Sequence, residues 1–100
     1  MKNRKICIIT GSRAEYGLLK PLIHILNIDS EIDLKIVATG MHLDKKFGLT
    51  FKDIENDGFH IYRKCDILPK TNSQSFVHES IGKGIIKFSD IFLEMKPDIV

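Results

Sequence analysis

The chain has 100 residues, 43% of them hydrophobic and 28% charged, which makes one domain at most, burying roughly 60–70% of its unfolded surface. A formal net charge of +2, with Lys and Arg interspersed among Asp and Glu, carries no nucleic-acid footprint, so no nucleic-acid partner is expected. No apolar run approaches the ~20 residues that cross a bilayer, and the apolar stretch after Met1-Lys2-Asn3-Arg4-Lys5 is too short for a signal peptide, so a cytoplasmic protein with no membrane partner is expected.

Lys5 to Thr10 reads as the first strand, with Cys7 inside it as a free thiol. A short Gly11-Ser12-Arg13 loop leads into a helix that carries Tyr16, Leu19, Leu22, Ile23 and Leu26 on one face at three- and four-residue spacing. Pro21 predicts a kink or local adjustment in that helix, or else a later helix start. Leu34 to Ala38 is the second strand, followed by the turn Thr39-Gly40-Met41-His42. From Asp44, the spacing of Phe47, Phe51 and Ile54, interrupted at Gly48, predicts two helical turns, a break and a short helix. Asn56-Asp57-Gly58 is a turn signature, and the alternation in Phe59 to Arg63 predicts a third strand near a sheet edge. Cys65 is a second free thiol beyond it, and neither cysteine belongs to a CxxC pair.

Pro69 to Ser75 reads as a polar loop. The longest helix follows, from about Ser75 to Met95, its stripe of Phe76, Val77, Ile81, Ile85, Phe88, Phe92 and Met95 suited to covering a sheet. Pro97 discourages helix at Lys96, and Asp98-Ile99-Val100 begins a fourth strand. Alternating strands and helices of this kind are the sequence form of repeated βα units and predict an α/β fold with a parallel sheet. Three residues are short against the ~5–6 of a mean strand, so residues 1–100 read as the front of a longer protein.

The strand that runs into Gly11-Ser12-Arg13-Ala14-Glu15 and then a helix is where a phosphate would sit. Backbone N–H groups gather there at the positive end of a helix dipole, and Arg13 adds a planar cationic fork. The segment lacks the three glycines of a dinucleotide fingerprint and the Gly-Lys-Ser/Thr of a P-loop, so neither NAD binding nor ATP hydrolysis is supported. Taken alone, an arginine in such a loop is more often a solvated charge than a ligand contact, and Glu15 in the first turn simply favours the dipole. His42 follows the second strand and so falls at the same carboxyl edge of the sheet, where it could exchange a proton or bond a ligand. His24, His60 and His78 form no pair with metal-ligand spacing, and no metal is expected.

Four segments together carry a resemblance: Thr10-Gly11-Ser12-Arg13-Ala14-Glu15-Tyr16-Gly17; Thr39-Gly40-Met41-His42-Leu43; Phe47-Gly48-Leu49-Thr50 with Ile54 to Phe59; and Lys96-Pro97-Asp98-Ile99-Val100. On these the chain resembles the hydrolysing UDP-N-acetylglucosamine 2-epimerases of sialic and related nonulosonic acid synthesis. The resemblance implies a GT-B-like enzyme of two Rossmann-like domains with UDP-sugar in the cleft, of which residues 1–100 are part of the N-terminal domain. It implies that Gly11, Ser12, Arg13, Glu15 and Gly17 bind the nucleotide, that His42 lines the sugar pocket as a candidate catalytic residue, and that no cofactor is required. The implied reaction eliminates UDP across C1 and C2 to a glycal, then hydrates it with inversion at C2. The remaining catalytic groups would lie beyond Val100, so the 100-residue chain alone is expected to be inactive, and the full-length protein is expected to form a homo-oligomer. A GT-B glycosyltransferase and a non-catalytic flavodoxin-like module are the alternatives.

Overall fold

Three parallel strands, β1 (Arg4–Thr10), β2 (Ile32–Thr39) and β3 (Ile61–Cys65), form one sheet in the order β1-β2-β3. The computed structural model describes residues 4–45, 48–67 and 76–100. Between the strands lie α1 (Arg13–Ile28), a 3₁₀ turn (Gly40–Leu43) and α2 (Phe51–Asn56), and β3 is followed by α3 (Phe76–Met95). This is the α/β Rossmann-like arrangement expected of the sequence. The predicted polar loop Pro69–Ser75, Lys46 and Phe47 within the predicted helical turns, and the N-terminal residues Met1–Asn3 lie outside the described residues, as do the side chains of Phe76 and Val77.

Each sheet face has its own core. Ile8, Ile36, Ala38 and Ile61 meet Tyr16 and Ile23 of α1 and Ile54 of α2 on one face. Cys7, Val37 and Cys65 meet Ile91 and Met95 of α3 on the other. The two cysteines are buried free thiols.

Two residues separate the predicted third strand, Phe59 to Arg63, from β3 as it occurs. The register breaks between Ile36 and Val37, where Ile36 pairs with Ile61 but Val37 pairs with Arg63. Tyr62 is therefore one residue too many, and because side chains alternate with period two, the extra residue reverses the facing of the residues after it. Ile61 packs under α1 and α2, while Cys65 packs under α3.

Ser12 starts α1. Its backbone is extended (φ −154°) and its hydroxyl accepts the Glu15 N–H at 3.3 Å, so the helix begins at Arg13 and the later start is excluded. The helix runs through Pro21, whose ring crowds the carbonyl four residues back, that of Gly17. Tyr16 and Ile23 are buried as predicted, with Leu19 and Leu26 packed beside them, but Leu22 is 48% exposed, at the margin of the β1 edge.

Among the described side chains of α3, those in the C-terminal half are the ones that pack on the sheet. Phe88, Ile91, Phe92 and Met95 pack on it, whereas Ile81 and Ile85 are exposed. Length explains this: twenty helical residues span ~30 Å, and the five residues of β3 reach only ~17 Å. At the end of α3, Lys96 turns left-handed (φ +52°) and donates its N–H to the Phe92 carbonyl at 2.8 Å. Ile99 then pairs with Ile6 in parallel, so the predicted fourth strand begins on the far side of β1. That single bridge lies on the side of β1 away from β2, and in open parallel sheets ligands bind beyond the carboxyl ends of the strands. Among the described residues, no helix is long and apolar enough to cross a membrane.

Candidate functional site

β1 ends at Thr10 and β2 at Thr39, side by side at one edge of the sheet. The loops that leave them touch. Gly40 has φ +61°, and a Cβ there would sit 3.0 Å from the Gly11 carbonyl oxygen, so only glycine allows this approach. The next residue uses it: the Met41 N–H donates to the Gly11 carbonyl at 2.8 Å.

That bond aims the loop. In a planar trans peptide the carbonyl and the following N–H point in opposite directions. The Gly11 carbonyl is held by Met41, which directs the Ser12 N–H the other way. The Ser12 carbonyl accepts the Tyr16 N–H at 3.0 Å as the first bond of α1, which does the same for Arg13. Beyond these groups lies an open cavity of about 370 Å³ lined by Ser12, Arg13, Ala14, Met41 and Thr50. Backbone amides at the positive end of a sixteen-residue helix, beside a guanidinium, suit an anion.

Arg13 is 79% exposed and lies 3.6 Å from the Asp53 carboxylate of α2, an exposed pair that water and salt screen heavily. It also borders a second groove of about 360 Å³, lined by Tyr16, Gly17, Lys20, Asp53, Asn56 and Asp57. There the buried Tyr16 hydroxyl donates to Asp57 at 2.5 Å, and Lys20 approaches the same carboxylate at 3.2 Å. Burial, then the bond to Asp57, pushes the Tyr16 hydroxyl well above its ordinary pKa. The bonds from Tyr16 and Lys20 hold Asp57 below the usual carboxylate range.

The six residues singled out in the sequence are thus distributed. Ser12 and Arg13 line the cavity, and Gly11 is the held residue beneath it. Glu15 folds back over the loop, its carboxylate 3.2 Å from where a Gly11 Cβ would stand. Gly17 lies in the second groove, with nothing within 4 Å of where its Cβ would be; a need for close backbone approach is not seen there within this chain.

His42 departs from its expected place on the wall of a pocket. It is 0% exposed, with Nε2 2.9 Å from Thr10 Oγ1 and Nδ1 2.9 Å from Thr50 Oγ1. Both ring nitrogens are engaged, so in this geometry it braces the loops from below. Burial lowers its pKa, against smaller raising effects from Glu15, Asp53 and the Ser12 backbone. Thr10, Thr50, Asp53 and the Tyr16–Asp57 pair were not anticipated. Their partners lie 32, 8, 40 and 41 residues away in the chain, beyond what any local pattern registers. Among the described residues, no group of three or more His, Cys, Asp or Glu side chains is placed to hold a metal ion.

Residues 24–100 match the UDP-N-acetylglucosamine 2-epimerase family. The whole chain is 42% identical to a Campylobacter jejuni protein named GDP/UDP-N,N′-diacetylbacillosamine 2-epimerase (hydrolyzing), covering 26% of it. Over 97% of the chain, identity is 40% to the UDP-N,N′-diacetylbacillosamine 2-epimerase (hydrolyzing) of Legionella pneumophila, again covering 26% of that protein. The chain therefore spans about a quarter of the length of these relatives. The fold is similar to that of the UDP-GlcNAc 2-epimerase of Neisseria meningitidis in its crystal structure bound to UDP-GlcNAc, with a TM-score of 0.73 and 21% identity over 95% of this chain and 24% of that one.

Proposed function

Because the chain belongs to the UDP-N-acetylglucosamine 2-epimerase family, we propose that it contributes the first part of the N-terminal, Rossmann-like domain of a hydrolysing UDP-HexNAc 2-epimerase. The substrate is UDP-N-acetylglucosamine or UDP-N,N′-diacetylbacillosamine, the second favoured by the names of the relatives at 42% and 40% identity. The observation that carries the reading is the cavity at the carboxyl edge, where Ser12, Arg13 and Ala14 at the start of α1 meet Met41 and Thr50.

In the reaction, a general base takes the proton from C2, the C1–O bond breaks, and its electron pair leaves on the β-phosphate of UDP. Water then adds to the resulting glycal, hydroxyl to C1 and hydrogen to C2 on the opposite face, giving the free 2-epimeric sugar. Charge grows on the departing phosphate, and a cationic fork with oriented amides stabilises such charge as it develops. Arg13 and the amides of Ser12 and Arg13 do this here. The base and the groups that hold uridine lie outside these 100 residues, so the chain alone does not turn over.

The test is an NMR time course of the full-length protein with each UDP-sugar in D2O, the 100-residue chain serving as control. Free UDP with a 2-epimeric sugar deuterated at C2 is the expected result. No turnover until a sugar acceptor is added would overturn it in favour of a glycosyltransferase.

A further inference from the structure

We propose that His42 is a positioning residue: an imidazole protonated on Nε2 that fixes the Ser12 carbonyl through Thr10 and ties the phosphate loop to α2 through Thr50. The proposal rests on the reading of the cavity as an anion site.

The direction of each hydrogen bond comes from counting hydrogens. The Thr10 hydroxyl lies 3.4 Å from the Ser12 carbonyl oxygen and 2.9 Å from His42 Nε2. The Ser12 carbonyl oxygen only accepts, and in the proposed arrangement it takes the single hydroxyl hydrogen of Thr10. What Thr10 offers His42 is a lone pair, which requires an N–H at Nε2. Nδ1 is then the unprotonated nitrogen and accepts from the Thr50 hydroxyl at 2.9 Å. The run is continuous: Thr50 donates to Nδ1, Nε2 donates to Thr10, and Thr10 donates to Ser12. It leaves no buried polar atom of these residues unpaired, as the interior demands.

Each end of the run matters to the site. The Ser12 carbonyl is the group opposite the Arg13 N–H in one peptide plane, so holding it sets where that amide points. Thr50 precedes α2 but does not cap it; its hydroxyl serves His42 instead. α2 carries Asp53, which faces Arg13. The loop and α2 are thus joined twice, inside through His42 and outside through the ion pair. The charged groups that face the imidazole, Glu15 of α1 and Asp53 of α2, favour its charged form, but burial outweighs them and shifts the ring toward the neutral form. The Tyr16 ring stands edge-on at 6.4 Å between centroids and limits rotation of the imidazole.

The experiment uses the full-length protein and three readouts: the long-range proton–nitrogen spectrum of the His42 ring, the affinity for UDP alone, and KM against kcat for the UDP-sugar. The wild-type ring should show the neutral, Nε2-protonated pattern above its ordinary pKa, at neutral to mildly alkaline pH. His42→Gln keeps a donor near Nε2, whereas the shorter amide of His42→Asn reaches only the Nδ1 position, where its oxygen can accept from Thr50. His42→Asn should weaken UDP binding and raise KM about tenfold, the scale of one buried hydrogen bond, with kcat nearly unchanged, and His42→Gln should restore most of both. Thr50→Val supplies a variant that leaves the histidine in place, and it should weaken UDP binding less than His42→Asn does.

A ring protonated on Nδ1 overturns the proposal without any variant having to fold. So does a folded His42→Asn protein that binds UDP normally, or a His42→Gln protein that loses kcat with KM unchanged, which would make His42 a reacting group. Absence of UDP binding by the wild type overturns this proposal and the anion-site reading together. Normal UDP binding with the expected split between variants, but no epimerisation, overturns the proposed reaction alone.

Discussion

Gly40→Ala measures how tightly the two loops are pressed together. Gly40 has φ +61°, a conformation that costs an L-residue about 1–2 kcal/mol. The new Cβ would also stand 3.0 Å from the Gly11 carbonyl oxygen and 3.6 Å from the Gly11 Cα. Those are backbone atoms, and the oxygen accepts the Met41 N–H at 2.8 Å; moving it weakens a bond of about 0.5–1.5 kcal/mol. The combined loss is about 1.5–3.5 kcal/mol. Gly58→Ala is the control: its φ is +91°, yet nothing lies within 4 Å of its Cβ position, so only the dihedral cost applies. Urea unfolding followed by circular dichroism should show Gly40→Ala less stable than Gly58→Ala by about 1 kcal/mol, and titration with UDP should show weaker binding for Gly40→Ala alone. Equal destabilisation of the two variants, with unchanged UDP affinity, would refute the claim that this contact aims the loop.

Packing and titration supply three further outcomes. Ile54 is fully buried between α2 and the sheet, and Ile54→Ala should cost about 2–5 kcal/mol in the same unfolding assay; a loss below about 1 kcal/mol would mean that α2 is not anchored there. Lys96 holds φ +52° at the end of α3, so Lys96→Gly should raise stability by about 0.5–1 kcal/mol, read as a higher Tm; a lower Tm would refute the strain. Burial puts the folded-state pKa of His42 below its ordinary 6.5, so as pH falls through 6.5 the unfolded chain takes up the proton first. The histidine's contribution is complete above that pH and declines toward the folded pKa, at no more than about 1.4 kcal/mol per pH unit. The stability difference between wild type and His42→Gln should therefore shrink as pH falls, and a pH-independent difference would contradict a buried neutral ring.

The alternation of strands and helices was legible because its signals are local: apolar periodicity for α1, an apolar run for β2, and Pro97 after α3; the capping role of Ser12 was seen only in the structure. The facing of β3 was not. Its residues alternate cleanly from Phe59 to Arg63, and nothing in them marks Tyr62 as surplus; the bulge exists because Ile36 and Val37 pair out of step with it. The exposure of Ile81 and Ile85 on α3 was hidden for a similar reason. Its apolar stripe is continuous, but how much of a stripe is covered depends on the length of the strands beneath, and β3 is five residues long.

The site divides along the same line between local and distant information. Chain order places Gly11, Ser12, Arg13 and His42 at one sheet edge, because every strand of a parallel sheet ends on the same side. Depth is a different quantity. His42 sits at the right edge but beneath it, and what puts it there is a pair of threonine hydroxyls, one on each side of the ring. An exposed histidine would need no such partners, whereas a buried one with a free nitrogen would forfeit a hydrogen bond to water without replacement. Thr10 at the end of β1 and Thr50 before α2 remove that penalty, and in doing so they turn a residue type usually associated with proton transfer into a brace between two loops. Arg13 needs no bracing of this kind, since its charge stays in water and only its backbone amide must be aimed. The cavity thus divides its labour: charge from the exposed arginine, direction from the buried histidine.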